Sequence, residues 1–242
     1  MLYKCDFYTQ LNNLDYYLMW LLNSSIGRKL IMSISGLFLI LFLLFHLSMN
    51  VAAVFSGEAY NTICGLLGSN WYAIVGTLVL AAGVVVHFVY AVILTLQNRK
   101  ARGNDRYALN SRPKGVEWAS QNMFVLGLIV ILFMILHFTQ FWYNMMFAEL
   151  AGIHGDIHPQ NGAAFINFYF QGNIVNTVLY LVWFAALWFH LTHGFWSAIH
   201  TLGWNNTVWL SRWECISKWV ATIICGLFAI ITIVFYLNGV GA

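Results

Sequence analysis

Eight histidines occur in the sequence, and six of them, His46, His87, His137, His190, His193 and His200, sit inside long apolar runs. Imidazole is a poor guest in hydrocarbon and a good metal ligand, because its neutral ring keeps one nitrogen lone pair. Three kinds of chemistry follow: metal ligation, proton relay, or a local hydrogen bond to a backbone carbonyl. The densest cluster is "HLTHGFWSAIH", residues 190–200, within the stretch 157–211 that contains no Lys, Arg, Asp or Glu.

The elements that carry these side chains are read from composition and charge placement. The chain is 61% hydrophobic and 8% charged, whereas a soluble domain averages about a quarter charged residues. Too few charges remain to cover a water-facing surface, so the expected class is a polytopic all-α membrane protein, residues 1–242 forming one transmembrane domain. Five charge-free intervals, 30–57, 59–98, 118–148, 157–211 and 219–242, locate five spans. Helices are expected near 29–54, 70–97, 119–146, 173–201 and 214–238.

Charge then orients the bundle. Lys4, Arg28 and Lys29 precede helix 1; Arg99, Lys100, Arg102, Arg106, Arg112 and Lys114 lie between helices 2 and 3; Arg212 and Lys218 lie between helices 4 and 5. Those are all 11 basic residues. The positive-inside rule places the N-terminus in the cytoplasm. Glu58, Glu149 and Asp156 fall on the outer side. The net charge of +3 reflects this topology rather than nucleic-acid binding. The first twenty residues hold Lys4, Asp6 and Asp15 and read as an interfacial segment rather than a cleavable signal. Cys5, Cys64, Cys215 and Cys225 form no CxxC or CxxCH motif, which disfavours zinc ribbons and covalent c-type haem.

Depth sorts the histidines. With about 1.5 Å of rise per residue, His46 on helix 1 and His137 on helix 3 lie at one level in the outer half. His87 on helix 2 and His190 on helix 4 share an inner level. Two histidines facing each other across a bundle supply both axial ligands of a b-type haem. The pattern therefore predicts two haems stacked across the membrane. Gly36 and Gly127 each precede a histidine by ten residues, about 15 Å along the axis, which puts a bare backbone at the inner level. Gly76 lies at the outer level and Gly83 one turn from His87. Small residues also serve close helix packing, so the glycines gain weight only beside the paired histidines.

The triplet does not form one metal site. His190 and His193 are about 60° apart around the helix, and His200 lies about 15 Å below His190. One ligand, His190, with two neighbours, His193 and His200, is the better description.

The segments "SISGLFLILFLLFH" (33–46), "HFVYAV" from His87, "ILHFTQFW" around His137 and "HLTHGFWSAIHTLGW" from His190 together resemble one family. It is that of the dihaem cytochrome b membrane anchors of succinate:quinone oxidoreductases, the succinate dehydrogenases and fumarate reductases, in their single-chain five-helix form. The resemblance implies His46 and His137 as ligands of an outer haem b, and His87 and His190 as ligands of an inner one. It implies a propionate contact for Ser33. The family often has a small polar residue at the position of His193; here His193 is expected to donate to a carbonyl or a haem edge, and His200 to approach a haem propionate or the cytoplasmic interface. Partners implied are a cytoplasmic flavoprotein subunit, an iron–sulfur subunit, membrane lipid and a quinone such as menaquinone, in a bacterial cytoplasmic membrane. Such complexes can pair as dimers of heterotrimers.

Quinone chemistry couples two electrons to two protons and needs an ionisable group near water; Glu58, the acidic residue of the first outer loop, is the candidate. Some relatives carry glutamate two residues before the inner ligand on helix 4, where this chain has Trp188, so no proton path is implied there. Two other classes share parts of the pattern. A dihaem subunit of a hydrogenase, nitrate reductase or formate dehydrogenase would use the same histidine logic. A non-redox transporter would use the histidines as relays, but neither broken helices nor inverted repeats are seen.

Overall fold

The computed structural model describes residues 19–102, 118–153, 155–204 and 206–240. Lys4, the N-terminal tyrosines and Arg106, Arg112 and Lys114 of the basic loop lie outside the described residues. Within them the chain is helical and strand-free, and five helices are long and apolar enough to cross a membrane. In chain order the elements are α1 (Ser25–Phe55), α2 (Gly57–Leu66), α3 (Trp71–Arg102), α4 (Trp118–His137), α5 (Gly162–Phe170), α6 (Ile174–Thr201) and α7 (Trp209–Asn238). Between α4 and α5, a π-helical segment, Phe138–Phe147, and a closing α-turn, Ala148–Ala151, extend the third span.

The helix ends show where charge misplaces a boundary. Helix α1 begins four residues before the expected start, because the Ser24 side chain accepts from the Gly27 N–H at 2.9 Å and caps it. Helix α7 begins at Trp209 rather than 214, since Asn206 Oδ1 accepts from the Val208 and Trp209 N–H groups at 3.0 and 2.8 Å. Helix α3 continues to Arg102. Charged "QNRKAR" ends an apolar run but contains no helix breaker. At 31 residues, α1 is about 46 Å long against a hydrocarbon core of about 30 Å. It must tilt or project.

Two segments read as loops are helical. Ser56 ends α1 in an extended conformation, and its hydroxyl accepts from Ala59 N–H to start α2. Helices α2 and α5 are clamped by paired asparagines. Asn61 Nδ2 donates to Asn161 Oδ1 at 3.0 Å, and the Ala163 N–H donates to Asn61 Oδ1 at 2.9 Å. Asn161 Oδ1 also caps α5 by accepting from Ala164 N–H. These short helices form a cap over one end of the bundle.

The closely packed core lies where α6 and α7 meet α1, around Ile40, Leu47, Leu187, Ile224 and Phe228. Helix α6 packs along α7, α3 along α1, α4 along α6, and α1 also touches α6 and α7; α3 and α4 barely meet. Going round, the order α3–α1–α6–α4 makes a ring of four, with α7 outside it. Helices α1 and α4 are therefore diagonal to each other, and so are α3 and α6.

Candidate functional site

The four deep histidines stand on these diagonals. His46 of α1 faces His137 at the end of α4, with ring centroids 5.8 Å apart and planes at 86°. His87 of α3 faces His190 of α6, with centroids 6.3 Å apart and planes at 71°. Two imidazole–metal bonds of about 2.0–2.1 Å and two ring radii of about 1.1 Å place the centroids about 6.3 Å apart when one metal bridges them. The second pair stands at that spacing and the first is slightly closer.

The two pairs occupy separate levels, and the glycines register the distance. A Cβ on Gly36 would lie 3.1 Å from His87 Cε1, and one on Gly127 would lie 3.5 Å from His190 Cε1. Each glycine is ten residues from the histidine of the other pair on its own helix, so the levels differ by about 15 Å along both helices. Gly83 instead lets α3 approach α1, since a Cβ there would come within 2.7 Å of Phe38. Gly76 meets nothing within 4 Å.

Ring-nitrogen environments decide which atoms are available. Ser35 Oγ lies 2.8 Å from the Ile31 carbonyl and 3.0 Å from the Met32 carbonyl, to which only its O–H can donate. Its lone pair then accepts from His87 Nδ1, 3.2 Å away. That contact leaves the Nε2 lone pair of His87 free. His137 Nδ1 lies 3.2 Å from the Tyr180 hydroxyl. The Asn50 amide nitrogen donates to the His46 carbonyl at 2.8 Å and stands 3.5 Å from His46 Nε2, longer than an ordinary hydrogen bond. His190 Nδ1 is buried and, among the described residues, has no hydrogen-bond partner. An orphaned buried polar atom costs about 1–3 kcal/mol.

Among the described residues, no group of three or more His, Cys, Asp or Glu side chains converges. Two imidazoles are too few to hold a bare ion, which usually takes four or more ligands. A metal between them must bring its remaining ligands, and a haem does so. The two pairs, the bare glycine backbones against His87 and His190, and the free Nε2 of His87 all fit that group.

The other residues singled out in the sequence separate. Ser33 is buried, but the hydroxyl that reaches a ring nitrogen is Ser35. His193 and His200 each meet Trp196 edge to face, at centroid distances of 5.1 and 6.4 Å; the Trp196 indole N–H is itself buried and, among the described residues, has no hydrogen-bond partner. Trp188 is half-buried against the core, and its indole N–H donates to Thr222 Oγ1 of α7 at 2.9 Å. Glu58 is exposed in the first turn of α2. Glu149 is the carboxylate the fold holds, accepting from Gln160 Nε2 at 2.5 Å. Sequence reading missed Ser35, Gln140, Asn176 and Tyr180. Gln140 and Asn176 were open to detection, since an amide in a charge-free membrane run is suspect in itself.

Within the cap, Cys64 and Tyr60 of α2 pack against Gly162 of α5, where a Cβ would meet both Cys64 Sγ and the Tyr60 ring. Gly162→Ala is expected to destabilise the cap by about 1–3 kcal/mol through overpacking, measurable as a lowered melting temperature in detergent. Burial pushes the Cys64 thiol up from 9.0 to about 11. Between those values the folded chain keeps a proton that the unfolded chain releases, so cap stability falls as pH rises through that window. The Tyr60 hydroxyl shifts upward for the same reason and acts with the same sign. At pH 8, maleimide is expected to label exposed Cys215 much faster than Cys64; equal rates would contradict this packing.

Among the described residues, five helices long and apolar enough to cross a membrane thus pack into a bundle with two diagonal histidine pairs at two levels. Comparison with family models, with curated proteins and with solved structures gives no match to this chain.

Proposed function

We propose that this chain is a dihaem cytochrome b membrane subunit that carries electrons between a dicarboxylate-oxidising or -reducing complex and a membrane quinone. The observation that carries the reading is the pair of diagonal histidine couples, one per level, at centroid distances of 5.8 and 6.3 Å. His46 and His137 would hold one haem b, and His87 and His190 the other. Bound there, the groups supply one-electron transfer between the two levels. The protein fixes the ring orientations, keeps water out of the apolar bundle, and sets the spacing through helix rise.

The basic end, with Arg28, Lys29, Arg99, Lys100, Arg212 and Lys218, would face the cytoplasm of a bacterial inner membrane. An iron–sulfur subunit would dock there, relaying electrons from a flavoprotein that performs the succinate or fumarate chemistry. Menaquinone is the favoured acceptor or donor, with its site toward the capped end. Glu58, exposed at that end, would exchange protons with the quinone. Glu58→Gln is expected to slow quinol turnover while leaving haem content unchanged; a wild-type turnover rate would remove this residue from the role.

The experiment is a reduction assay on membranes containing the chain with its partner subunits. Succinate is expected to reduce a b-type absorbance that added quinone reoxidises. Reduction by hydrogen or formate but not succinate would assign the chain to another respiratory complex. No redox-active absorbance at all would overturn the reading.

A further inference from the structure

The contact between His137 and Tyr180 belongs to a chain of hydrogen bonds that fixes where the imidazole proton sits. The chain starts at a group with a single possible role. The Tyr169 carbonyl can only accept, so the Asn176 atom 3.1 Å from it must be the amide nitrogen, Nδ2. The other atom of that amide, Oδ1, therefore points at Gln140 and must receive an N–H; Gln140 Nε2 supplies it at 2.8 Å. Gln140 then presents Oε1 to Tyr180, whose hydroxyl has to donate, at 2.8 Å. With its proton committed, the Tyr180 oxygen can only accept from His137 Nδ1. Each orientation forces the next, so amide and tautomer assignments that are ordinarily ambiguous are determined here.

We propose that this relay, Tyr169 carbonyl–Asn176–Gln140–Tyr180, locks His137 in its Nδ1–H tautomer and commits Nε2 to the bundle interior as a metal ligand. Tyr180 is the positioning residue. It is 4% exposed and Asn176 6% exposed, so two of the relay's side chains are withdrawn from water, with half-buried Gln140 held between them. The π-helical segment that begins after His137 contributes to the arrangement. Its wider turn carries Gln140 to Asn176 and Asn144 to the Tyr169 hydroxyl, 3.1 Å away. The two pairs are consequently supported differently. His137 is backed by a four-member relay, His87 by the Ser35 hydroxyl and the Met32 carbonyl, and His190 Nδ1, among the described residues, by no hydrogen-bond partner. An acceptor on Nδ1–H makes the ring a stronger electron donor through Nε2 and favours the oxidised metal.

The test has two arms, and only the redox arm rests on the dihaem reading. In the full-length chain labelled with 13C,15N-histidine, carbon–nitrogen correlation spectra show which ring nitrogen bears the proton, with His137→Gln assigning the signal. The proton is expected on Nδ1 of His137 in a preparation without haem, and Tyr180→Phe is expected to populate both tautomers. A proton on Nε2 in the wild-type chain would overturn the relay whatever the haem content. In haem-loaded protein, Tyr180→Phe is expected to raise one of two midpoint potentials and leave the other in place. Gln140→Met, which keeps the Tyr180 ring but removes the acceptor aiming its hydroxyl, is expected to move the same potential. Unmoved potentials in both variants, with both haems retained, would also overturn it. Absence of haem from the wild-type chain, with His137 still Nδ1–H, would end the dihaem reading and leave the relay standing.

Discussion

His190→Ala is expected to remove one of two b-type haem absorbances and leave the other, reducing haem content to about half. His193→Ala, three residues on, is expected to leave both. The difference follows from geometry. His190 faces His87 across the bundle, at a centroid distance of 6.3 Å, while His193 packs edge-on against Trp196 toward the basic end. In the proposed arrangement His87 and His190 together would hold the group, and the variant would leave His87 alone to do so. The other pair lies about 15 Å away along the helices and shares no ligand with it. Haem content and the reduced-minus-oxidised spectrum of each variant check the expectation. Loss of a haem in His193→Ala, with His190→Ala unaffected, would move the ligand by one turn.

Gly36→Leu is expected to remove the same haem as His190→Ala, although residue 36 is no ligand. A Cβ alone would stand 3.1 Å from His87 Cε1, tighter than ordinary van der Waals contact, and the rest of a leucine would occupy the space in front of that ring. Overpacking of this kind costs about 1–3 kcal/mol. Displacing the His87 ring also breaks its hydrogen bond to Ser35. Gly127→Leu, whose Cβ would stand 3.5 Å from His190 Cε1, is expected to act on the same site more weakly. Gly76→Leu, with open space around it, is the control and should leave both haems. If Gly36→Leu spares the haem that His190→Ala removes, Gly36 serves helix packing only.

How much of this was legible in the sequence depended on whether helix rise alone carried the information. His46, His87, His137 and His190 stand out because an imidazole in an apolar run is conspicuous, and a constant rise converts residue number into depth. The facing pairs follow from alternating helix direction. The positions of Gly36 and Gly127 against the other pair follow from the same arithmetic. What rise cannot give is rotation. Ser33 and Ser35 lie at nearly the same depth but about 160° apart around the helix, and only Ser35 meets His87. The relay behind His137 was still less accessible. It depends on a π-helical segment in "FTQFWYNMMF" that no hydrophobic period announces. The cap helices α2 and α5 were read as loops because their stabilisation comes from the Asn61–Asn161 clamp, a contact between residues 100 positions apart.

Two haems held between two histidine pairs, as proposed, are counted by pyridine haemochrome quantitation against protein concentration in the purified chain. About two haems b per chain, falling to about one in His46→Ala and in His190→Ala and to none in the double variant, is the predicted result. A wild-type chain without haem, or one whose haem content is unchanged by both substitutions, would contradict it.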